Sequence, residues 1–204
     1  MVLDPAMMST GRTYRGPAPS VPRSHGVHVG AVNRALGIAA GKLSDPEDVD
    51  FPFDRFTEKE YPLLPALGVS WEEFRATHYG HDRLIWQPCE LERDNIYGTP
   101  DGLLFDDLTE DFTKWWECKY STKKAQSIAY LWMYLKQGLS YCAMSAKKFL
   151  QPIRQVQYDI CFGLGDYTRP FKPIGQVSVV EFSELECEGW WANVLAASKG
   201  VKPE

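Results

Sequence analysis

The sequence predicts a mixed α/β fold, a β-sheet of mixed strand direction flanked by helices. Three observations predict it. Three strand-like runs separated by turn residues lie between Leu84 and Tyr120. A long stretch of helix formers without proline follows, from Lys124 to Met144, and two further strand-like runs and a capped helix come after it. Strand runs interleaved with helices, rather than a chain of all one kind, point to a sheet covered by helices.

Taken in order, residues 1 to 24 are rich in Pro, Gly, Ser and Arg, show no apolar period and read as a flexible arm; residues 25 to 200 read as a single domain. Val27 to Ala40 has apolar spacing that suits a short helix. Residues 41 to 65 hold four prolines and many acids and read as an irregular loop. Ser70 suits the N-cap of a helix whose first turn carries Glu72 and Glu73 and which Gly80 ends. The three strands are read at Leu84 to Arg93, Tyr97 to Phe105 and Thr113 to Tyr120. In the long helix Ile128, Leu131, Trp132, Leu135, Leu139 and Cys142 recur at spacings of three and four. The last strands are read at Gln155 to Phe162 and Gln176 to Phe182, and Ser183 with Glu186 forms a capping-box pattern opening a final helix to about Ala197.

A chain of 204 residues is large enough to bury about 70% of its extended surface in one core. No apolar run approaches the roughly 18 residues needed to cross a bilayer, so no membrane partner is expected. The start MVLDPAMMSTGRTYRGP has no apolar segment of the signal-peptide kind. Five widely spaced cysteines with no CxxC pair predict neither a disulfide framework nor a zinc knuckle, and fit a reducing cytoplasm. The net charge of -5, taken alone, argues against a nucleic-acid binder. The charge is unevenly spread: Lys114 to Arg154 contains eight bases and one acid, a segment of +7, which leaves the remainder at -12. Such a local basic face suits a phosphate backbone, and Lys123, Lys124 and Lys136 are the expected DNA phosphate contacts.

The chemistry concentrates in Gly98-Thr99-Pro100-Asp101-Gly102 and Glu117-Cys118-Lys119. Glu117 and Lys119, two apart on a strand, point to one face. A carboxylate and an ammonium there, facing an acid from the next strand, suit metal-assisted phosphodiester hydrolysis: the carboxylates offer hard oxygen ligands and the lysine offsets charge at phosphorus. Other readings of the same residues are a plain Pro-Asp-Gly turn and a solvated strand pair. His78, His81 and Asp82 lack further ligands at zinc spacing. Gly163-Leu164-Gly165-Asp166 reads as a turn, and one indole of the Trp190-Trp191 pair is expected to be an exposed docking surface.

Pro100-Asp101 followed by Glu117-x-Lys119 resembles the signature of the PD-(D/E)XK nuclease superfamily. Upstream, Gly68-Val69-Ser70-Trp71-Glu72 is similar to the helix element in which that family places a further Glu or His ligand. Downstream, Gln137-Gly138-Leu139-Ser140-Tyr141 resembles the QxxxY motif of its RecB-like branch, which includes phage recombination exonucleases such as lambda exonuclease. The resemblance covers roughly residues 66 to 145. It implies a restriction-endonuclease-like mixed sheet with the acids at its centre. It further implies a Mg²⁺- or Mn²⁺-dependent deoxyribonuclease, as an exonuclease of phage DNA recombination, repair or replication in the host cytoplasm, with DNA, a homo-oligomer or a recombination protein as partners.

In that reading Asp101, Glu117, Glu72 and the Cys118 backbone carbonyl hold the metal, and Glu73, Glu90 and Glu92 are the alternatives to Glu72. Lys119 positions the nucleophile, and Gln137 and Tyr141 organise the site. The iron–sulfur members of the branch carry a cysteine cluster after the QxxxY helix; this chain lacks that spacing, so no cluster is expected. Lys119→Ala is expected to remove activity and keep the fold. The alternative on the same fold is a catalytically silent DNA-binding or virion-assembly protein.

Overall fold

In the computed structural model the described residues are 24–43, 63–80, 83–106, 111–121, 125–148, 152–163, 165, 170 and 172–201. The arm read over 1–24 therefore lies outside them except for Ser24, as do most of the acidic loop and both Lys123 and Lys124. The fold is mixed α/β, with two mixed sheets flanked by helices. The elements run β1 (Val27–His28), α1 (Val29–Ala39), α2 (Leu63–Tyr79), β2 (Leu84–Trp86), β3 (Leu91–Arg93), β4 (Ile96–Gly98), β5 (Gly102–Asp106), β6 (Asp111–Ser121), α3 (Trp132–Lys148), β7 (Gln155–Phe162), β8 (Ile174–Glu181) and α4 (Glu184–Ser198). A single 3-10 turn, Ile128–Tyr130, precedes α3.

The larger sheet has the order β2-β5-β6-β7-β8. Its strands pair antiparallel except β6 and β7, which are parallel and joined across α3. The segment bearing Glu117 and Lys119 is thus the central strand, and it is long because both neighbours pair along it. Side-chain alternation divides β6 between two cores. Trp115 faces the main core with α1, α3 and α4, whereas Trp116 and Cys118 join Leu84 and Leu104 in a smaller core under Trp71, Ala76 and Tyr79 of α2.

Proline and turn chemistry explain where the elements depart from expectation. The run read as one strand from Leu84 to Arg93 is two strands, broken where Pro88 removes a donor. The run from Tyr97 to Phe105 is likewise broken at Thr99-Pro100-Asp101. The pieces β3 and β4 form a hairpin through Asp94 and Asn95, both at positive φ (55° and 60°), as a two-residue turn of the primed kind requires. With β1 they make a second, three-stranded sheet that the pattern did not reveal. Helix α2 begins at Leu63, so Ser70 is an interior residue and not its cap. Helix α3 starts at Trp132 rather than near Lys124. The capping box of α4 is present: Ser183 Oγ accepts from the Glu186 amide and the Glu186 carboxylate accepts from the Ser183 amide.

Two glycines seat α3 against the rest of the fold. A Cβ on Gly138 would lie 2.0 Å from the Tyr158 hydroxyl, and one on Gly98 would lie 2.9 Å from both Tyr141 Cε1 and Val29 Cγ1. Only a missing side chain lets α3 approach β7 and β4 this closely. No helix of the described residues is long and apolar enough to cross a membrane.

Candidate active site

Strand β5 begins at Gly102, which pairs with Trp116 of β6. Beyond that pair β6 continues through Glu117, Cys118 and Lys119 with β7 on one side only. Asp101 fills the other side. Its Oδ2 accepts from the Cys118 amide at 2.8 Å and from Lys119 Nζ at 2.7 Å. Where a strand partner ends, the exposed backbone amide of the neighbour is thus met by a carboxylate. The N–H and C=O of one strand residue point to the same side, so the Cys118 carbonyl faces the side on which Asp101 lies.

Lys119 Nζ also lies 2.7 Å from Glu117 Oε2. Both Glu117 oxygens are buried, and Oε2 has the Lys119 ammonium as its ion partner. Glu117 is wholly buried. Burial, then the charge of Asp101, pushes its carboxyl up to about 8 despite Lys119. Burial pulls the Lys119 ammonium down, but Asp101 and Glu117 outweigh it and hold it well above its ordinary value. The lysine is therefore a fixed cation between two acids. Removing it would leave Glu117 buried without its counter-charge, so Lys119→Ala is expected to cost stability as well as activity.

Of the four acids considered as the further ligand, the structure brings Glu72 to the site. Burial and the nearby charge of Asp101 raise its carboxyl to about 7, and Trp86 Nε1 donates to its Oε1. Glu90 is committed elsewhere: its carboxylate accepts from the Ser24 amide and hydroxyl. Glu92 projects from β3 into solvent. Glu73 lies one residue along α2 from Glu72, on another face of the helix.

Gln137 and Tyr141 act as a relay on α3. Gln137 Nε2 donates to the Tyr141 hydroxyl at 2.8 Å, and that hydroxyl donates to the Thr99 carbonyl at 3.0 Å. The helix thereby grips the backbone two residues before Asp101. Burial, then the charge of Glu117, holds the Tyr141 hydroxyl well above the usual phenol range, so it stays a donor.

Lys136 does not join this group. Its ammonium lies 4.4 Å from the Trp190 ring centroid on α4, and burial lowers it. Trp190 itself meets Trp132 edge-on and donates to Ser140 Oγ, while Trp191 is buried and donates to Asp94. Neither indole is the exposed docking surface expected from the sequence. Lys123 and Lys124 lie outside the described residues.

One buried acid escaped the sequence reading. Asp159 of β7 is fully buried beneath α2. Its Oδ2 accepts from Arg75 Nε at 3.0 Å, the Tyr79 hydroxyl at 2.8 Å and Trp116 Nε1 at 2.9 Å. Its backbone carbonyl accepts from Trp71 Nε1. These bonds pin α2 to the sheet and so fix where Glu72 stands. A lone Asp in the apolar run of β7 carries no signal of this, because Trp71, Arg75, Tyr79 and Trp116 come from α2 and β6.

Among the described residues no three His, Cys, Asp or Glu side chains are gathered so as to hold a metal ion. The acids engage Lys119, the Cys118 amide and Trp86 instead. The donor chemistry nevertheless fits a hard divalent cation: two buried carboxyls, Glu72 and Glu117, beside a third acid, Asp101, and a backbone carbonyl on the same side.

No family model and no curated protein matches the chain. Among solved structures it is similar to the one titled "Crystal structure of SSO0001", at 11% identity and a TM-score of 0.47, over 86% of this chain and 78% of that one.

Proposed function

We propose that the chain is a metal-dependent deoxyribonuclease of the PD-(D/E)XK kind that hydrolyses DNA phosphodiester bonds, in the exonuclease role its RecB-like motifs imply. The observation that carries this reading is the Asp101–Lys119–Glu117 arrangement just before β5 begins, with Glu72 beside it. A buried lysine held between two acids on a central strand does little for stability that an apolar residue would not do. It suits a reaction in which negative charge grows on phosphorus.

Asp101, Glu117, Glu72 and the Cys118 carbonyl would hold Mg²⁺ or Mn²⁺. When bound, the ion supplies Lewis acidity toward the phosphate and eases loss of a proton from water. Lys119 orients the attacking water and offsets charge on the phosphoryl oxygens. The water oxygen attacks phosphorus in line, and the bond from phosphorus to the leaving sugar oxygen breaks. The products are a 5′-phosphate and a 3′-hydroxyl, as the resemblance implies. Gln137 and Tyr141 keep the Asp101 loop in place. Lys123 and Lys124, which follow β6, are the proposed phosphate contacts along the strand.

The test is cleavage of end-labelled linear and of circular DNA with Mg²⁺, Mn²⁺ or EDTA. Metal-dependent loss of linear DNA alone supports the exonuclease, and nicking of circles makes it an endonuclease on the same residues. No cleavage with either metal removes the reading.

A further inference from the structure

Gln87 has a backbone φ of 46°, in the left-handed region. Residues other than glycine rarely adopt it, and Gln lacks the short polar side chain that lets Asn or Asp settle there. Pro88 follows, and a residue before proline is ordinarily extended. A conformation of this kind persists where the surroundings impose it, and such residues gather at functional sites.

The surroundings are those of the site. The Gln87 amide donates to the Asp101 carbonyl at 2.8 Å, just past the Trp86–Gly102 pair that ends the β2–β5 ladder. The Gln87 side chain faces the Glu72 carboxylate, to which the adjacent Trp86 also donates. Its amide oxygen, Oε1, is buried with no hydrogen-bond partner. Close by in the fold, the hydroxyl of Thr99 is buried without a hydrogen-bond partner as well, and the Glu117 carboxylate is buried beside Lys119. A turn that only joined β2 to β3 would be better served by glycine. It would gain nothing from a buried acceptor left without a donor.

We propose that Gln87 is a positioning residue of this site. It fixes Glu72 against Asp101, and its amide oxygen accepts a hydrogen bond from a water molecule held among the carboxylates. The inference rests on the nuclease reading of the same site and adds a member that no motif marks. Gln87 touches the acids and not the scissile bond, so its loss disturbs how the acids are held.

Gln87→Gly tests this, because it deletes the side chain while removing the backbone conflict. Three quantities are read on the full chain: Mn²⁺ affinity by calorimetry without DNA, kcat and KM for cleavage of linear DNA, and the thermal midpoint. The expected result is a Mn²⁺ dissociation constant raised about tenfold or more, the range found when partners of metal ligands are removed. The kcat falls by a similar factor while KM moves less than about twofold, and the thermal midpoint equals or exceeds that of the unaltered chain. Gln87→Asn, which keeps an amide and tolerates this φ, recovers part of both losses. Unchanged Mn²⁺ affinity and kcat in Gln87→Gly overturn the proposal, and the nuclease reading stands if the unaltered chain cleaves. A lowered thermal midpoint with unchanged affinity assigns Gln87 to the turn alone and also overturns it. If the unaltered chain binds Mn²⁺ and does not cleave, the nuclease reading falls and the affinity comparison alone decides Gln87. If it binds no Mn²⁺, both fall.

Discussion

The Tyr141 hydroxyl donates to the Thr99 carbonyl at 3.0 Å, and through this bond the long helix α3 holds the loop that presents Asp101. Gln137 completes the relay by donating to the same hydroxyl. Tyr141→Phe keeps the ring packed and deletes only this donor. The expected loss of stability is about 1 kcal/mol, the net worth of one hydrogen bond. The expected loss of cleavage rate is larger than that figure alone gives, because Asp101 is released. Denaturant unfolding alongside kcat separates the two.

Lys119 carries a prediction whose sign depends on pH. In the folded chain Glu117 binds its proton more tightly than in the unfolded chain, its carboxyl standing near 8 against an ordinary value of 4.5. The stability that protonated Glu117 retains is present below pH 4.5 and is lost as pH rises through about 8. Without Lys119 the ionised form loses its counter-charge. Lys119→Ala is therefore expected to be destabilised by roughly 3–5 kcal/mol at pH 8, the cost of breaking a buried pair, and by much less at pH 5. Adding Glu117→Gln to Lys119→Ala restores most of the loss at pH 8. Thermal midpoints of the three chains at both pH values check this, and equal losses at both would contradict it.

Asp159 tests whether Glu72 is placed by the anchoring of α2. Asp159→Ala strips the acceptor from Arg75, Tyr79 and Trp116 at once. It is expected to cost roughly 3–5 kcal/mol, as loss of one member of a buried charged network does. At temperatures where the variant is folded its cleavage should need more Mg²⁺ than the unaltered chain, since Glu72 rides on the loosened helix. A Mg²⁺ dependence identical to that of the unaltered chain would separate Glu72 from this anchor.

Lys136 separates packing from DNA contact. Its ammonium sits over Trp190, where a cation–π contact is worth about 0.5–1 kcal/mol. Lys136→Ala is expected to lose about that much stability. The dependence of DNA affinity on salt should stay as it was, whereas a true phosphate contact would lower that slope by about 1. Binding measured across a salt series decides it.

Much of this arrangement was legible in the sequence because it rests on local spacing. The period of two in Glu117-Cys118-Lys119, the four-residue interval from Gln137 to Tyr141 and the Ser183–Glu186 box each describe one element, and each sits where its spacing puts it. The strand breaks are marked in the sequence as well: Pro88 and Pro100 each interrupt an otherwise strand-like run. The choice of Glu72 over Glu73, Glu90 and Glu92 was not legible, since it depends on how α2 crosses β6. Asp159 and Gln87 were hidden for the same reason. Their partners are distant in sequence, Arg75 and Tyr79 for one and Asp101 for the other, and neither residue type announces a role on its own.

The most direct test compares the unaltered chain with Glu117→Gln, an exchange that preserves shape and removes the capacity to ionise, on end-labelled linear DNA with Mg²⁺. The expected result is Mg²⁺-dependent cleavage by the unaltered chain and at least a hundredfold slower cleavage by a folded Glu117→Gln, about 2.7 kcal/mol of transition-state stabilisation. Equal cleavage by both chains, or none by the unaltered chain with Mg²⁺ or Mn²⁺, would contradict a catalytic site on the central strand.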